Sequence, residues 1–171
     1  EIHSFEPVSL SFDLLQKTSG NDQNWHVHKL ALGDTPGRKS INITASSDFS
    51  SFLDPNSYGR DQYKEICLLD SETVDVDRVD NFLAAHVKDH AERRIFLKMD
   101  TQGYDLNAFG GASRSLPSIV CMLSELSLIP IYADMPHYLE ALKRYEDQGF
   151  AVTGIFPVSR RPDLSVIEMD C

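Results

Sequence analysis

The order of strand-like and helix-like segments along this chain predicts a three-layer α/β sandwich, a mostly parallel sheet with an antiparallel hairpin at its edge. Three observations carry this expectation. Residues 95–99, Ile-Phe-Leu-Lys-Met, form a short apolar run suited to a strand buried on both faces; the run stops at Asp100 and turns at Gly103 into helical spacing at Leu106, Phe109 and Ala112. Residues 1–5 repeat the pattern: a strand-like run, then Glu6, then a helix, which is half of a βαβ unit. Residues 150–156 and 164–169 read as two closing strands, and so short a turn between them, at Arg160, Arg161, Pro162 and Asp163, implies an antiparallel hairpin.

The elements between follow from local signals. From Val8, apolar residues at Phe12, Leu14 and Leu15 mark an amphipathic helix that Gly20, Asn21 and Asp22 end. Residues 26–32 alternate as a strand before Gly33 and Asp34 turn the chain, and residues 40–44 form another after Pro36 and Gly37. Residues 48–63 are rich in Ser, Asp, Asn, Pro and Gly; they lack periodicity yet carry Phe49, Phe52 and Tyr58, which suits a loop or lid over a site. Residues 72–76 alternate as a strand able to pair with 40–44, and Val79, Phe82, Leu83 and Val87 mark a helix with Asp77 placed to cap it. Residues 118–123 form a buried strand ending at Ser124 and Glu125. A loop at 130–136 leads to a helix from about His137, with Tyr138, Leu139, Leu142 and Tyr145 on one face and Gly149 as its stop.

Composition narrows the function. The 171 residues, 42% hydrophobic and 25% charged, suit one domain with a sizeable core. Sixteen basic against 26 acidic residues give a net charge of -10, which repels phosphate backbones and argues against nucleic acid or an anionic membrane as partner. No apolar run approaches a membrane span, and Glu1, Ile2 and His3 do not open a secretory leader. Cys67, Cys121 and Cys171 are odd in number and far apart, forming neither a disulfide framework nor a metal knuckle, and point to a reducing cytoplasm.

In open α/β sheets ligands bind at the carboxyl ends of strands, so Asp100 and Glu6 are the first candidate site residues, with Glu125 at a further strand end. An acid following the first strand of a βα unit can accept from both hydroxyls of a ribose, which is the reading for Glu6. Asp100 could instead serve only as a cap for the turn that follows it. No Gly-x-Gly-x-x-Gly and no Walker-type loop is present, so nothing wraps a pyrophosphate. His26 with His28, and His86 with His90, could each present two imidazoles, but no third ligand is evident, and ordinary surface histidines are the better reading. No Gly-x-Ser-x-Gly elbow is present for a serine hydrolase.

Six pieces taken in order resemble one family. They are His3-Ser4-Phe5-Glu6-Pro7, Ala31-Leu32-Gly33-Asp34, Ser50-Ser51-Phe52-Leu53, Val79-Asp80-Asn81-Phe82-Leu83, Leu97-Lys98-Met99-Asp100-Thr101-Gln102-Gly103-Tyr104, and Ser124-Glu125-Leu126 followed by Pro130-Ile131-Tyr132. Together they resemble the FkbM-type methyltransferases, which use S-adenosyl-L-methionine and have a Rossmann-like methyltransferase fold. The resemblance implies that Glu6 holds the cofactor ribose, that Ala31 and Leu32 border the adenine, and that Asp100 lies by the methionine end where methyl transfer occurs. Asp100 is the catalytic candidate, leaving the cationic sulfur in a negative environment or serving as the base, with His137 and Glu125 as lesser candidates for the base. The resemblance also implies a small hydroxylated acceptor, such as a sugar or polyketide, with Ser51, Glu125 and His137 on the acceptor side. Many family members carry Glu where this chain has Gln102, which leaves Asp100 as the acid of that motif. The family also has a first, central strand with a glycine-rich loop upstream of the Glu6 strand, and a longer last strand. The chain therefore resembles a piece of a larger enzyme, truncated at both ends. Against an O-methyltransferase stands a module that folds without binding the cofactor; weaker still is an oxidoreductase placing Glu6 on a nucleotide ribose.

Overall fold

In the computed structural model, which describes residues 1–171, nine strands and five α-helices alternate, but the strands form three sheets instead of one. The first sheet pairs β1 (Ile2–Phe5) with β2 (Trp25–His28) in parallel, with α1 (Ser9–Ser19) between them. The second has the order β3-β5-β4, where β3 (Ala31–Leu32) is parallel to β5 (Leu68–Asp77) and β4 (Gly37–Thr44) is antiparallel to it. The third has the order β6-β7-β9-β8: β6 (Ile95–Met99) is parallel to β7 (Ile119–Ser127), and β9 (Val166–Asp170) and β8 (Phe156–Arg160) run antiparallel. The remaining helices are α2 (Ser57–Gln62), α3 (Val79–His86), α4 (Asp105–Gly111) and α5 (Tyr138–Glu146).

These sheets correct the expectation of a mostly parallel sandwich. Three strand pairings are parallel and three antiparallel, so the class is α/β with mixed sheets. β1 pairs only with β2 and β6 only with β7, so the strands of Glu6 and Asp100 share no hydrogen-bonded neighbour. The expected burial of β6 on both faces fails for the same reason that side chains alternate along a strand: Met99 is buried while Phe96 is 59% exposed, so β6 covers the core with one face only. The expected single strand at 26–32 is two, because the chain bends at Lys29 and Leu30 and carries Ala31 into the second sheet.

Other expectations hold with shifted ends. Residues 40–44 do pair with β5, Ser40 opposite Thr73 and Ile41 opposite Glu72. The closing hairpin forms, but its first strand is Phe156–Arg160, and residues 150–155 are irregular. β7 continues to Ser127 because its last residues gain β9 as a partner, with Glu125 opposite Asp170. Residues 48–63 are pinned instead of forming a free lid. They include the one-and-a-half turns of α2, too short to show periodicity, and Phe52 stacks on Tyr104 at 4.9 Å while Phe49 meets Tyr63 at 5.0 Å.

One core cluster of Met99, Ala108, Phe109, Leu126, Ala141, Tyr145 and Met169 lies between the third sheet and helices α4 and α5. A second joins α3 to α4 through Val79, Phe82, Leu83, Ala112 and Ile119, with Phe5, Leu32 and Leu97 packed against it. That cluster is where the three sheets meet. A Cβ on Gly111 would stand 2.2 Å from the Gly33 carbonyl oxygen, so only glycine lets α4 lie against the turn after β3.

Asp80 fixes the α3 end of this junction. It is 2% exposed and accepts from the Ser115 and Arg114 backbone amides, from the Ser115 hydroxyl and from the Arg78 guanidinium. Burial alone would raise its pKa, but the donors from Arg78, Ser115 and Arg114 outweigh it and hold the carboxyl below its ordinary 3.8. A carboxyl held low contributes stability that is present at neutral pH and is lost as pH falls through the folded value. Asp80→Ala should destabilise the chain by about 3 kcal/mol in urea denaturation at pH 7, because it leaves buried donors unpaired. The gap between variant and parent should narrow below pH 4; a gap independent of pH would refute the ionic part of this role.

Candidate functional site

The turn after β6 is held from below by a buried carboxylate. Asp105, 5% exposed, accepts from the Thr101 amide at 2.9 Å, the Thr101 hydroxyl, the Ser124 hydroxyl at 2.7 Å and the Glu125 amide at 3.1 Å. Ser124 is in turn 2.8 Å from the Tyr145 hydroxyl. Asp105 therefore ties the β6 turn, β7 and α5 to one point. Burial raises its pKa despite these donors. Above it, Gln102 and Gly103 both have positive φ, 52° and 88°. Gly103 can do so without cost, whereas Gln102 is held in this region by its surroundings.

Those surroundings bring several expected site residues together. Gln102 Nε2 donates to Glu125 at 2.9 Å and to Asp100 at 3.2 Å. Its carbonyl oxygen faces the Tyr132 hydroxyl at 3.0 Å, and its backbone oxygen accepts from Ser51 Oγ at 2.7 Å. Ser51 is 1% exposed and also accepts from the Leu53 amide, so its part in the site passes through Gln102. Asp100 is 45% exposed and pairs with Lys98 at 2.9 Å, which raises the lysine pKa through that hydrogen bond.

Glu125 differs from Asp100 in its surroundings. Burial first, then the charges of Asp100, Glu168, Asp105 and Asp170, push its pKa up to about 8. On the neighbouring strand β9, two places from the Asp170 that faces Glu125, Glu168 is raised by burial and accepts from Ser159 and Tyr63, while burial raises Tyr63 to about 12. The result is a carboxyl pair in which one member is wet and one is held protonated near neutral pH.

Glu125 also borders a small cavity of about 20 Å³ with Gly103, Leu106, Ser127, Met135, Pro136 and Ala141. That is room for one water-sized group. Ser127 is 1% exposed and its Oγ has no hydrogen-bond partner. His137 is next along the chain from this wall but is exposed; its Nδ1 caps α5 by accepting from the Leu139 amide at 3.3 Å, and its ring rests on Tyr138. A larger depression of about 440 Å³ lies at the other end of β7, lined by Leu116, Pro117, Ile119, Val120 and Phe150 among others, and none of its residues titrates.

The residues expected to hold the cofactor occupy separate places. Glu6 follows β1 directly; its Oε1 accepts from the Val8 amide at 2.9 Å, Oε2 makes no bond within the chain, and burial raises its pKa. Ala31 is buried with Val8, Ile41, Val74 and Val76 under β5, and Leu32 packs against the α3–α4 junction. Neither Glu6 nor His137 is hydrogen-bonded to the Asp100–Gln102–Glu125 group. The histidines form a stack of their own, with His3 Nδ1 3.0 Å from His28 Nε2 and both rings edge-on to Phe82. No group of three or more His, Cys, Asp or Glu side chains is placed to hold a metal ion. No helix is long and apolar enough to cross a membrane.

Sequence reasoning missed Asp105, Tyr132 and Ser127. Asp105 was the findable one, since an acid in the first turn of a helix opened by glycine is placed to gather backbone amides. Tyr132 and Ser127 come to the site only through tertiary packing.

The family profile of the methyltransferase FkbM domain matches residues 1–152, and the chain belongs to that methyltransferase family. The match ends before β8 and β9. A search of curated proteins and one of solved structures returned no match.

The raised pKa of Glu125 predicts a pH dependence of stability. A carboxyl whose folded value, about 8, exceeds its ordinary 4.5 takes up a proton on folding. Its contribution is fully present below pH 4.5 and lost as pH rises through 8. Glu125→Gln should flatten the melting temperature against pH between these limits; an unaltered slope would refute the protonated state.

Proposed function

We propose that this chain carries an S-adenosyl-L-methionine-dependent O-methyltransferase site acting on a hydroxyl of a small molecule, of the kind found on sugars and polyketides. The observation that carries the reading is the unequal carboxyl pair on two adjacent parallel strands, Asp100 exposed just past β6 and Glu125 within β7 with its pKa pushed up to about 8, joined by Gln102. Membership of the family supports methyl transfer.

The residues present fit the cofactor. Glu6 is fixed by the Val8 amide through one oxygen and offers the other to a diol. Leu32, half-buried beside the turn at Gly33, offers apolar surface, while Ala31 is buried behind it in the core and supports that turn from within. The exposed, ion-paired Asp100 supplies negative charge where a sulfonium would lie. When bound, the cofactor supplies an electrophilic methyl group on that sulfonium.

The chain's own tasks are alignment and proton transfer. Asp100 keeps the electrophile's side of the site negative. Glu125, in its ionised form, accepts the proton of the acceptor hydroxyl as the oxygen attacks; it borders the small cavity lined also by Met135 and Pro136, which has room for one hydroxyl-sized group. A base that titrates near the working pH is the efficient choice for this step. His137, on the exposed rim, meets the outer part of the acceptor.

Isothermal titration with S-adenosyl-L-methionine, and labelled methyl transfer to a panel of hydroxylated metabolites, test the reading together. Glu6→Ala should weaken cofactor affinity by about 1 to 3 kcal/mol, the loss of a charged acceptor, with little change in the acceptor's KM. Glu125→Gln should lower kcat by about 10²- to 10⁴-fold at preserved cofactor affinity. Cofactor binding unaffected by Glu6→Ala, or kcat unaffected by Glu125→Gln, would remove that residue from its role.

A further inference from the structure

Every polar group of the Gln102 side chain is engaged, and so is its backbone oxygen. Both Nε2 hydrogens go to carboxylates, Glu125 at 2.9 Å and Asp100 at 3.2 Å. Its Oε1 shares the single Tyr132 hydroxyl proton with the Phe49 carbonyl, at 3.0 and 2.9 Å. The backbone oxygen takes the buried Ser51 hydroxyl. The residue is held in left-handed backbone at φ 52°, a conformation that costs energy for any residue but glycine. Gln102 is the first central residue of a tight turn that the Tyr104 amide closes on the Thr101 carbonyl at 3.3 Å, with positive φ at both Gln102 and Gly103. Four partners from four segments hold its side chain and carbonyl in that turn: Ser51 of the 48–53 segment, Asp100 after β6, Glu125 of β7 and Tyr132.

We infer that Gln102 is a positioning residue: its carboxamide, oriented by Tyr132 and Ser51, sets the spacing of Asp100 and Glu125 and stabilises the ionised form of Glu125 that accepts a proton. The inference rests on the proposed role of Glu125 as the base, but its central claim concerns the free protein. Around Glu125 stand Asp100 and Lys98 from β6, Asp105 from α4, and Glu168 and Asp170 from β9. Four carboxyls face it and one ammonium, on Lys98, which is bound to Asp100. In that field the Gln102 amide is the side-chain donor given to the Glu125 carboxylate. A donor to a carboxylate favours ionisation, so Gln102 opposes the upward push of burial and of the neighbouring acids. Glutamate at this position would add a carboxylate to the cluster and remove the donor, reversing both effects.

The test is the titration of Glu125 itself, with no acceptor needed. In protein labelled with ¹³C at glutamate side-chain carboxyls, the Glu125 resonance, assigned by its loss in Glu125→Gln, is followed against pH in the parent, Gln102→Leu, Gln102→Glu and Tyr132→Phe. The parent should titrate near 8. Gln102→Leu should move the midpoint up by about one to two units, the worth of one charge-assisted hydrogen bond. Gln102→Glu, close to isosteric, should move it up as well and carries the test if the leucine variant does not fold. Tyr132→Phe, which touches neither carboxylate, should give a smaller shift in the same direction. An unchanged or lowered midpoint in a folded Gln102 variant overturns the inference. Once an acceptor is found, the alkaline rise of kcat should move with the same midpoint. If the parent shows no methyl transfer while these shifts appear, the functional reading fails and the positioning role of Gln102 stands.

Discussion

Four donors converge on the Asp105 carboxylate, and the arrangement of the site depends on that convergence. Two come from Thr101, in the turn that leaves β6, and two from β7, the Ser124 hydroxyl and the Glu125 amide. A carboxylate 5% exposed is tolerated only because these donors replace water. In return, the turn and the neighbouring strand are locked in one register. Asp100 and Glu125 then both reach the Gln102 amide, although they stand 25 positions apart in sequence. Remove the lock and the turn loses its anchor, Gln102 has no reason to remain left-handed, and the two carboxyls separate.

The rest of the chain reaches this point through close backbone packing more than through strand pairing. The three sheets are not hydrogen-bonded to one another, so what joins them is the cluster around Phe82, Ala112 and Ile119 and the contact of Gly111 with the Gly33 carbonyl. Tyr104, one residue before Asp105, extends this outward: its ring lies against Phe52 and under Lys39, whose ammonium is 4.4 Å from the ring centre. The turn after β3, the 48–63 segment and the Asp100 turn are thus packed on a single tyrosine and a single glycine pair. A displacement of α4 would move the proposed adenine and acceptor sides together.

How much of this was legible in the sequence follows from what each signal measures. The strand-carboxylate-glycine-helix run at 95–112 and the pairing of 40–44 with 72–76 are local patterns with a local cause, and both appear. Sheet composition was misread because periodicity says that a segment is extended but not which segment lies beside it; the break of 26–32 into strands of two sheets turns on a bend at Lys29 and Leu30. Residues 48–63 were opaque because α2 is shorter than two turns and the rings there find partners far away in the chain, as Tyr58 does beneath Arg161 at 4.8 Å. In the site, Asp100 and Glu125 could be picked out as acids near strand ends. That Glu125 is the buried member could not, since its environment comes from β9, some 45 residues later.

The contrast between the two carboxyls is the step from structure to chemistry. Asp100 stands past the last residue of β6, is exposed to water on one side and pairs with Lys98 on the other. Glu125 sits within a strand with Asp170 directly across and Glu168 two places along, so burial and like charge both disfavour its ionisation. On the proposed reading, two acids given different environments take different tasks, one a fixed charge and one a proton carrier. The hairpin β8–β9 adds to that difference, after burial and the charge of Asp100, through Glu168 and Asp170 of β9, and it lies beyond the part of the chain that the family profile covers. The profile thus covers both acids and their strands, while part of the field that pushes the Glu125 pKa up comes from the segment after it.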